Sequence, residues 1–278
     1  EISKMNVDGI GLLRAEFIMS QMGIHPKKII ADGKQKTYID NLASNLKTFA
    51  ESFYPRPVVY RATDFKTNEY RNLKGGDKYE PEEPNPMLGF RGAYRYIVQP
   101  DVFKMEIEAI KLVRNKYGFK NLWLMIPFVR TVMELIEVKS LLHTQGLHRS
   151  PSFHLWMMVE IPSNVILLDK FIEAGIDGVS IGSNDLTMML LGTDRDNNTV
   201  AKEFDERNPA VLWALEKTIK TCHQYKITSS ICGQAPSTYP ELVEKLVEWG
   251  VTSVSISPDA INHTRQVIYE AEKRLANK

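Results

Sequence analysis

The chain has 278 residues, 43% of them hydrophobic, enough to bury a core without disulfide or metal staples. Its 35 Lys and Arg balance 34 Asp and Glu, which argues against a partner recruited by bulk charge, nucleic acid or anionic membrane, but leaves room for a locally basic pocket. Two cysteines, Cys222 and Cys232, exclude a disulfide framework and point to a reducing, cytoplasmic setting. The longest strictly apolar run, Ala210 to Leu215, is far short of a membrane span. The opening Glu1-Ile2-Ser3-Lys4 has neither a signal-peptide pattern nor an initiator Met, so the expectation is a segment of a longer parent chain.

In chain order, Val7 to Leu13 is short, apolar and punctuated by glycine, a strand pattern. Ile39, Leu42, Leu46, Phe49 and Phe53 recur in steps of three and four, predicting a helix over Tyr38 to Phe53. Pro57 to Tyr60 reads as a second strand. A long polar loop follows, Lys66 to Pro86, with Gly75-Gly76 and three prolines; loops of this length in a compact domain are usually functional or disordered. Met87 to Phe90 reads as a short third strand. A helix is expected over Asp101 to Tyr117, with Phe103, Ile107, Ile110, Val113 and Tyr117 on one side, and a strand over Leu122 to Ile126. Thr131 and Glu134 have capping-box spacing for the next helix. His154 to Glu160 is the next strand, and Ser163 a candidate cap for a helix through Phe171. Strands at Asp177 to Ile181, Lys226 to Cys232 and Thr252 to Ile256 alternate with helices at Pro209 to Tyr225, from a Thr238/Glu241 capping box to Trp249 with Gly250 as its stop, and at Asp259 to Leu275.

Eight short apolar strands without clean alternation, mostly separated by helices, suit a parallel sheet covered on both faces. The predicted fold is α/β, a (β/α)8 TIM-type barrel formed by residues 1–278 as one domain; a doubly wound open sheet is the alternative. In such a barrel the chemistry lies at the C-terminal strand ends. Those ends carry Arg14 and Glu16, Arg61 and Asp64, Arg91, Arg130, Glu160, Asn184 and Asp185, and Cys232.

An arginine after a strand is about as often a solvated or structurally paired group as a ligand. Arg14, Arg61 and Arg91 on three early strands weaken that reading, and the planar guanidinium fork suits a phosphate dianion. Glu160 and Asp185 end neighbouring strands; two hard oxygen ligands with positions left for water and substrate suit Mg2+. Each carboxylate read alone is a helix cap or ion-pair partner, and Asn184 read alone is a cap. None of the six histidines has metal-ligand spacing. Cys222 reads as a packed helix residue. Cys232 ends a strand before Gly233, where a thiol can exchange a proton with substrate or sit buried and inert.

An ordered set of motifs runs through the chain: Gly9-Ile-Gly-Leu-Leu-Arg-Ala-Glu-Phe17, Arg61-Ala-Thr-Asp-Phe-Lys-Thr-Asn-Glu-Tyr70, Asn85-Pro-Met-Leu-Gly-Phe-Arg-Gly92, Ile126-Pro-Phe-Val-Arg130, Val159-Glu-Ile-Pro-Ser163, Ser180-Ile-Gly-Ser-Asn-Asp-Leu-Thr187 and Ile231-Cys-Gly-Gln-Ala-Pro-Ser237. On these the chain resembles the C-terminal barrel of the PEP-utilising enzymes over nearly its whole length. The Asp64-to-Tyr70 stretch and Cys232-Gly233-Gln234 are most similar to the synthase branch (pyruvate, water dikinase). The Enzyme I and pyruvate phosphate dikinase branches commonly carry an acidic residue where Gln234 stands. Met188 departs from the family pattern, which usually has Gln there.

The resemblance implies that Arg14, Arg61 and Arg91 hold the phosphoryl group and substrate, with Gly182, Ser183, Asn184 and Arg195 as further contacts. It implies that Glu160 and Asp185 bind Mg2+, and that Cys232 gives and takes the proton at the methylene carbon. PEP and pyruvate are the implied ligands. A phosphohistidine domain and a nucleotide-binding domain of an ATP-dependent parent chain are the implied partners, with a homodimer formed through the barrel; nucleic acid and membrane are not expected partners. No phosphate loop and no phosphohistidine segment occurs in this sequence, so a half-reaction is the expectation. The competing readings are another phosphotransferase of the family, an Mg2+-dependent pyruvate-enolate lyase, which the arginines and Cys232 disfavour, and an inactive dimerisation module.

Overall fold

The computed structural model describes residues 1–277, apart from the side chains of Ala15, Phe17 and Gln21, so Ala15 and Phe17 of the first motif lie outside the described side chains. The chain divides into two compact units, Asp8–Leu155 and Glu1–Val7 with Trp156–Lys278.

In the first unit, β1 (Ile10–Arg14), β2 (Val58–Arg61) and β3 (Leu122–Ile126) lie side by side and parallel. Val58, Val59 and Tyr60 are all buried, as are Leu124, Met125 and Ile126, so the strands show the continuous burial of a parallel sheet rather than alternation. The helix Gln35–Phe53 buries Tyr38, Leu42, Ala43, Leu46, Ala50 and Phe53, the stripe its spacing predicts. The helix Pro100–Lys111 buries Val102, Phe103, Met105, Ile107, Ala109 and Ile110, and with them one carboxylate, Glu106. It continues as a π-helical turn, Leu112–Lys116.

The expected strand over Met87–Phe90 does not form. Pro84 and Pro86 remove two ladder donors just before it, and the Phe90 N–H is taken by the Glu83 carboxylate at 3.0 Å. β2 pairs directly with β3, and the described strands number seven, not eight.

The long polar segment before it is ordered. It holds the helix Thr67–Arg71 and a 3-10 turn, Gly76–Lys78. Its anchor is buried Glu80, whose two oxygens receive the Arg95 fork at 2.7 and 2.8 Å and His25 Nε2 at 2.9 Å. His25 Nδ1 accepts the Lys27 N–H, which leaves Nε2 as the donor. Burial opposes the Glu80 charge, but the His25 and Arg95 hydrogen bonds win and hold its pKa below the ordinary value.

The second unit contains β4 (Leu155–Val159, from Trp156), β5 (Gly178–Gly182), β6 (Thr228–Cys232) and the two-residue β7 (Ser253–Val254), again neighbours in chain order and parallel. The helix Pro209–Gln224 starts at Asn208, whose side chain accepts the Ala210 N–H, and Pro240–Trp249 stops at Gly250 in the left-handed conformation. Two expected caps are displaced by proline. Pro162 and Pro240 occupy first helical positions, so Ile161 and Tyr239 stand at the caps rather than Ser163 and Thr238. Asn164 instead reaches back to the N–H groups of Glu160 and Ile161, and Thr238 ends a short helix, Ala235–Thr238. The Thr131 cap forms in the first unit, its hydroxyl accepting the Glu134 N–H.

Each unit therefore builds a run of consecutive parallel strands separated by helices. This is the α/β strand order of a TIM-type barrel. Among the described residues no helix is long and apolar enough to cross a membrane.

Candidate active site

Two clusters of polar and charged side chains lie at the C-terminal strand ends, one in each unit. In the first unit β1 and β2 end on Arg14 and Arg61, which are register partners. The Arg14 side chain is exposed. Arg61 Nη2 meets Glu16 Oε1 at 3.0 Å, and the same oxygen accepts the Asp64 N–H at 2.5 Å. One carboxylate thus ties the arginine to the turn that follows its own strand. Asp64 then receives Arg91 through a two-pronged fork, Nε to Oδ1 at 3.1 Å and Nη2 to Oδ2 at 2.6 Å, with both side chains almost fully buried. Arg91 comes from a loop rather than a strand end, and this fork brings it to the cluster.

Phe128 is the floor on which the guanidinium groups stack. Arg91 lies 4.0 Å and Arg130 4.8 Å from its ring centroid. Arg130 also donates to the carbonyls of Gly89 at 2.5 Å and Arg91 at 3.2 Å. Phe128 holds φ at 46°, a left-handed conformation unfavourable for a bulky residue. A Cβ on Gly92 would lie 2.4 Å from the Phe128 Cβ, so the Phe90-Arg91-Gly92 turn needs glycine where it crosses this residue. Burial pulls the Arg130 pKa down, with Glu134 opposing and Arg91 adding to the fall.

In the second unit Glu160 follows β4 directly and is 2% exposed. It lies over Gly182 at the end of β5: a Cβ on that glycine would come within 2.8 Å of Glu160 Oε2. Gly182 is in turn the register partner of Cys232, which ends β6 and is 4% exposed. The Cys232 thiol donates to the Ile181 carbonyl at 3.5 Å, and the Ser183 hydroxyl to the Cys232 carbonyl at 3.1 Å. Gly233, at φ 118°, leaves the room Ser183 needs; a Cβ there would meet its Oγ at 2.3 Å. A buried carboxylate, a glycine gap and a thiol therefore occupy the ends of three adjacent strands.

Asp185 sits in the first turn of the helix Ser183–Leu191, three residues beyond Gly182. In the amide orientation that satisfies both neighbours, Asn184 accepts from Arg195 Nη1 at 2.8 Å and donates to Glu206 Oε1 at 3.1 Å. Burial raises the Glu206 pKa, with Ser183 and Arg195 opposing. Cys222 is buried on the helix Pro209–Gln224, and burial pushes its thiol up to about 12, the behaviour of a packed, unreactive residue.

Sequence reasoning missed Glu206 and the Glu80 anchor, because neither ends a strand nor falls in a motif. For a metal, the donor chemistry fits Mg2+. Glu160 and Asp185 offer hard oxygen donors, and the cradle over Gly182 is one that any side chain would fill. Among the described residues no group of three or more His, Cys, Asp or Glu side chains is placed to hold a metal ion.

The model of the PEP-binding domain of PEP-utilising enzymes matches residues 1–273. Relatives include a probable phosphoenolpyruvate synthase of Staphylothermus marinus, 51% identical over 98% of this chain and 33% of its own length. The phosphoenolpyruvate synthases of Aeropyrum pernix and Pseudomonas aeruginosa are 50% and 45% identical, over 96% and 95% of this chain and 33% and 36% of theirs. The chain spans about a third of the length of these curated relatives.

Proposed function

The chain belongs to the PEP-utilising enzymes, as their PEP-binding domain, and from that premise we propose that it is the C-terminal catalytic part of a phosphoenolpyruvate synthase. It would perform the half-reaction between pyruvate and a phosphohistidine supplied by another domain of a longer chain, whose nucleotide-binding domain charges that histidine from ATP.

The pyruvate methyl group loses a proton, the enolate oxygen attacks phosphorus, the P–N bond to histidine breaks and the P–O bond of PEP forms. Arg61, Arg91 and Arg14 would bind the phosphoryl oxygens. Glu16 and Asp64 hold the first two of these guanidinium groups in place before substrate arrives, so little reorganisation remains for the transfer itself. Mg2+, held by Glu160 and Asp185, would supply fixed positive charge to the developing enolate. Asn184, kept by Arg195 and Glu206, would contact the substrate beside it, with the Gly182–Ser183 backbone. Cys232 would take the methyl proton and return it in the reverse direction.

The observation that supports this reading is that Cys232 pairs in register with Gly182 while the Glu160 carboxylate lies over that same glycine, which brings a thiol-bearing residue and a buried carboxylate to the ends of strands on either side of β5. The test is deuterium incorporation into the methyl group of pyruvate, with Mg2+ and inorganic phosphate present. Wild type should exchange, and Cys232→Ala should slow exchange by about 10²–10⁴-fold, the loss typical of a positioned acid or base. Exchange that persists in the variant would return Cys232 to a packed thiol.

A further inference from the structure

We infer that Glu106, in the helix Pro100–Lys111, is a positioning residue for the arginine cluster: it grips the turn after β2 from its buried side and so sets where Arg61 and Asp64 stand. The inference rests on the reading of that cluster as a phosphate site.

Three contacts carry it. Glu106 Oε2 accepts the Thr63 backbone N–H at 3.1 Å and the Tyr60 hydroxyl at 3.0 Å. The Thr63 carbonyl is held from another side by the Tyr96 hydroxyl at 2.6 Å. Both backbone groups of Thr63 are therefore claimed by buried side chains. Arg61 lies two residues before it, and Asp64, whose own N–H is held by Glu16, directly after. A shift of this turn would move the Asp64 carboxylate and with it the Arg91 fork.

Glu106 is 1% exposed on a helix face otherwise made of Val102, Phe103, Met105, Ile107, Ala109 and Ile110. A buried carboxylate on such a face carries a desolvation penalty that a Met or Leu would avoid. The groups that face it are Glu16 from the helix Ala15–Met22, Tyr38 from Gln35–Phe53, Tyr60 from β2, Tyr70 from Thr67–Arg71 and Tyr96 from Ala93–Val98. Burial is the largest influence and raises its pKa to about 7. The Thr63 and Tyr60 hydrogen bonds pull it back, and Glu16 raises it further. The grip therefore tightens around neutral pH. The carboxylate is the stronger acceptor for the Thr63 N–H, and the acid form gives up that charge assistance.

The test uses Glu106→Gln in the full-length chain, which keeps shape and removes titration. Two quantities are read between pH 6 and pH 8: amide exchange at Thr63 and Asp64 without ligand, and the calorimetric Kd for PEP. The ratio of variant to wild-type Kd cancels the titration of the PEP phosphate itself. That ratio should rise with pH, from near unity at pH 6 to about three- to tenfold at pH 8, the difference between a charge-assisted and a neutral hydrogen bond. The protection factor of Thr63, its exchange divided by the intrinsic rate at each pH, should rise across the same range in wild type and stay level in the variant. A flat ratio with a flat Thr63 protection factor overturns the inference.

If Glu106→Gln does not fold, Tyr60→Phe serves instead. It removes one donor to the carboxylate, so the midpoint of Thr63 protection should move to higher pH, and an unmoved midpoint overturns the inference. Wild type that binds no PEP at any pH refutes the functional reading. In that case Thr63 exchange that still follows Glu106 upholds the grip on the turn, and exchange that does not follow it refutes that as well.

Discussion

Replacing Arg91 by Lys tests whether the buried fork, rather than charge alone, builds the phosphate platform. Arg91 and Asp64 are nearly inaccessible, 6% and 1% at the side chain, and share two hydrogen bonds of 3.1 and 2.6 Å. Lysine keeps the charge and one of these bonds and loses the other, at about 1.5–3 kcal/mol for a hydrogen bond to a charged group. The stack over Phe128 at 4.0 Å adds about 0.5–2 kcal/mol. Asp64 retains a cation, so the larger penalty of an orphaned buried charge is not incurred. The expected loss is about 2–5 kcal/mol, read as a lower urea midpoint at unchanged m-value. PEP affinity should fall at least about tenfold, while pyruvate affinity, which involves no phosphoryl oxygens, should stay within about twofold. A double-mutant cycle with Asp64→Asn should return a coupling above about 1.5 kcal/mol. Stability within about 0.5 kcal/mol of wild type, or equal losses for PEP and pyruvate, would refute the reasoning.

Gly182→Ala should push Glu160 aside, because the added Cβ lies 2.8 Å from Glu160 Oε2 and from Met158 Cε. It should cost about 1–3 kcal/mol of stability and weaken Mg2+ in a calorimetric titration. The folded-state pKa of Glu106, about 7, lies above its unfolded value, so the folded chain binds the extra proton between pH 4.5 and 7. Wild-type stability relative to Glu106→Gln should therefore fall as pH rises through that window, by up to about 3 kcal/mol, and level off above it; denaturant titrations at several pH values give the curve. Cys222, with its thiol pushed up to about 12, should stay unmodified by iodoacetamide at pH 8 in the folded chain, as peptide mass spectrometry would show.

The elements that read clearly in the sequence are those whose apolar pattern is local, an unbroken run for a strand or a regular stripe for a helix. Leu122–Ile126 and the Gln35–Phe53 stripe carry their own signal, and the structure places them within a few residues of expectation. Met87–Phe90 misled because its apolar content resembles a strand, while the donors a strand needs are removed by Pro84 and Pro86 and by Glu83, seven residues away from the Phe90 N–H it captures. Pro162 and Pro240 show a similar rule at helix starts: a proline fixes the first helical position, and the residue before it takes the cap regardless of a nearby Ser or Thr. The strand-end residues Arg61, Glu160 and Cys232 were legible because the fold class assigns meaning to position. The partners that organise them were not. Glu106 interrupts the Phe103–Ile107–Ile110 stripe, and a charged residue inside an apolar stripe is the one signal that would have marked it for burial. Glu206 left no such signal, since its contact with Asn184 depends on how the segment after the Ser183–Leu191 helix folds back.

A chain that holds the PEP and pyruvate half of a phosphoryl-transfer reaction should distinguish PEP from its two fragments. A calorimetric titration of PEP with and without Mg2+, with pyruvate and inorganic phosphate as separate ligands, tests it most directly. PEP should bind more tightly than either fragment, Mg2+ should strengthen PEP and pyruvate but not phosphate, and Glu160→Gln should abolish the Mg2+ effect. PEP binding no tighter than phosphate alone, and indifferent to Mg2+, would contradict it.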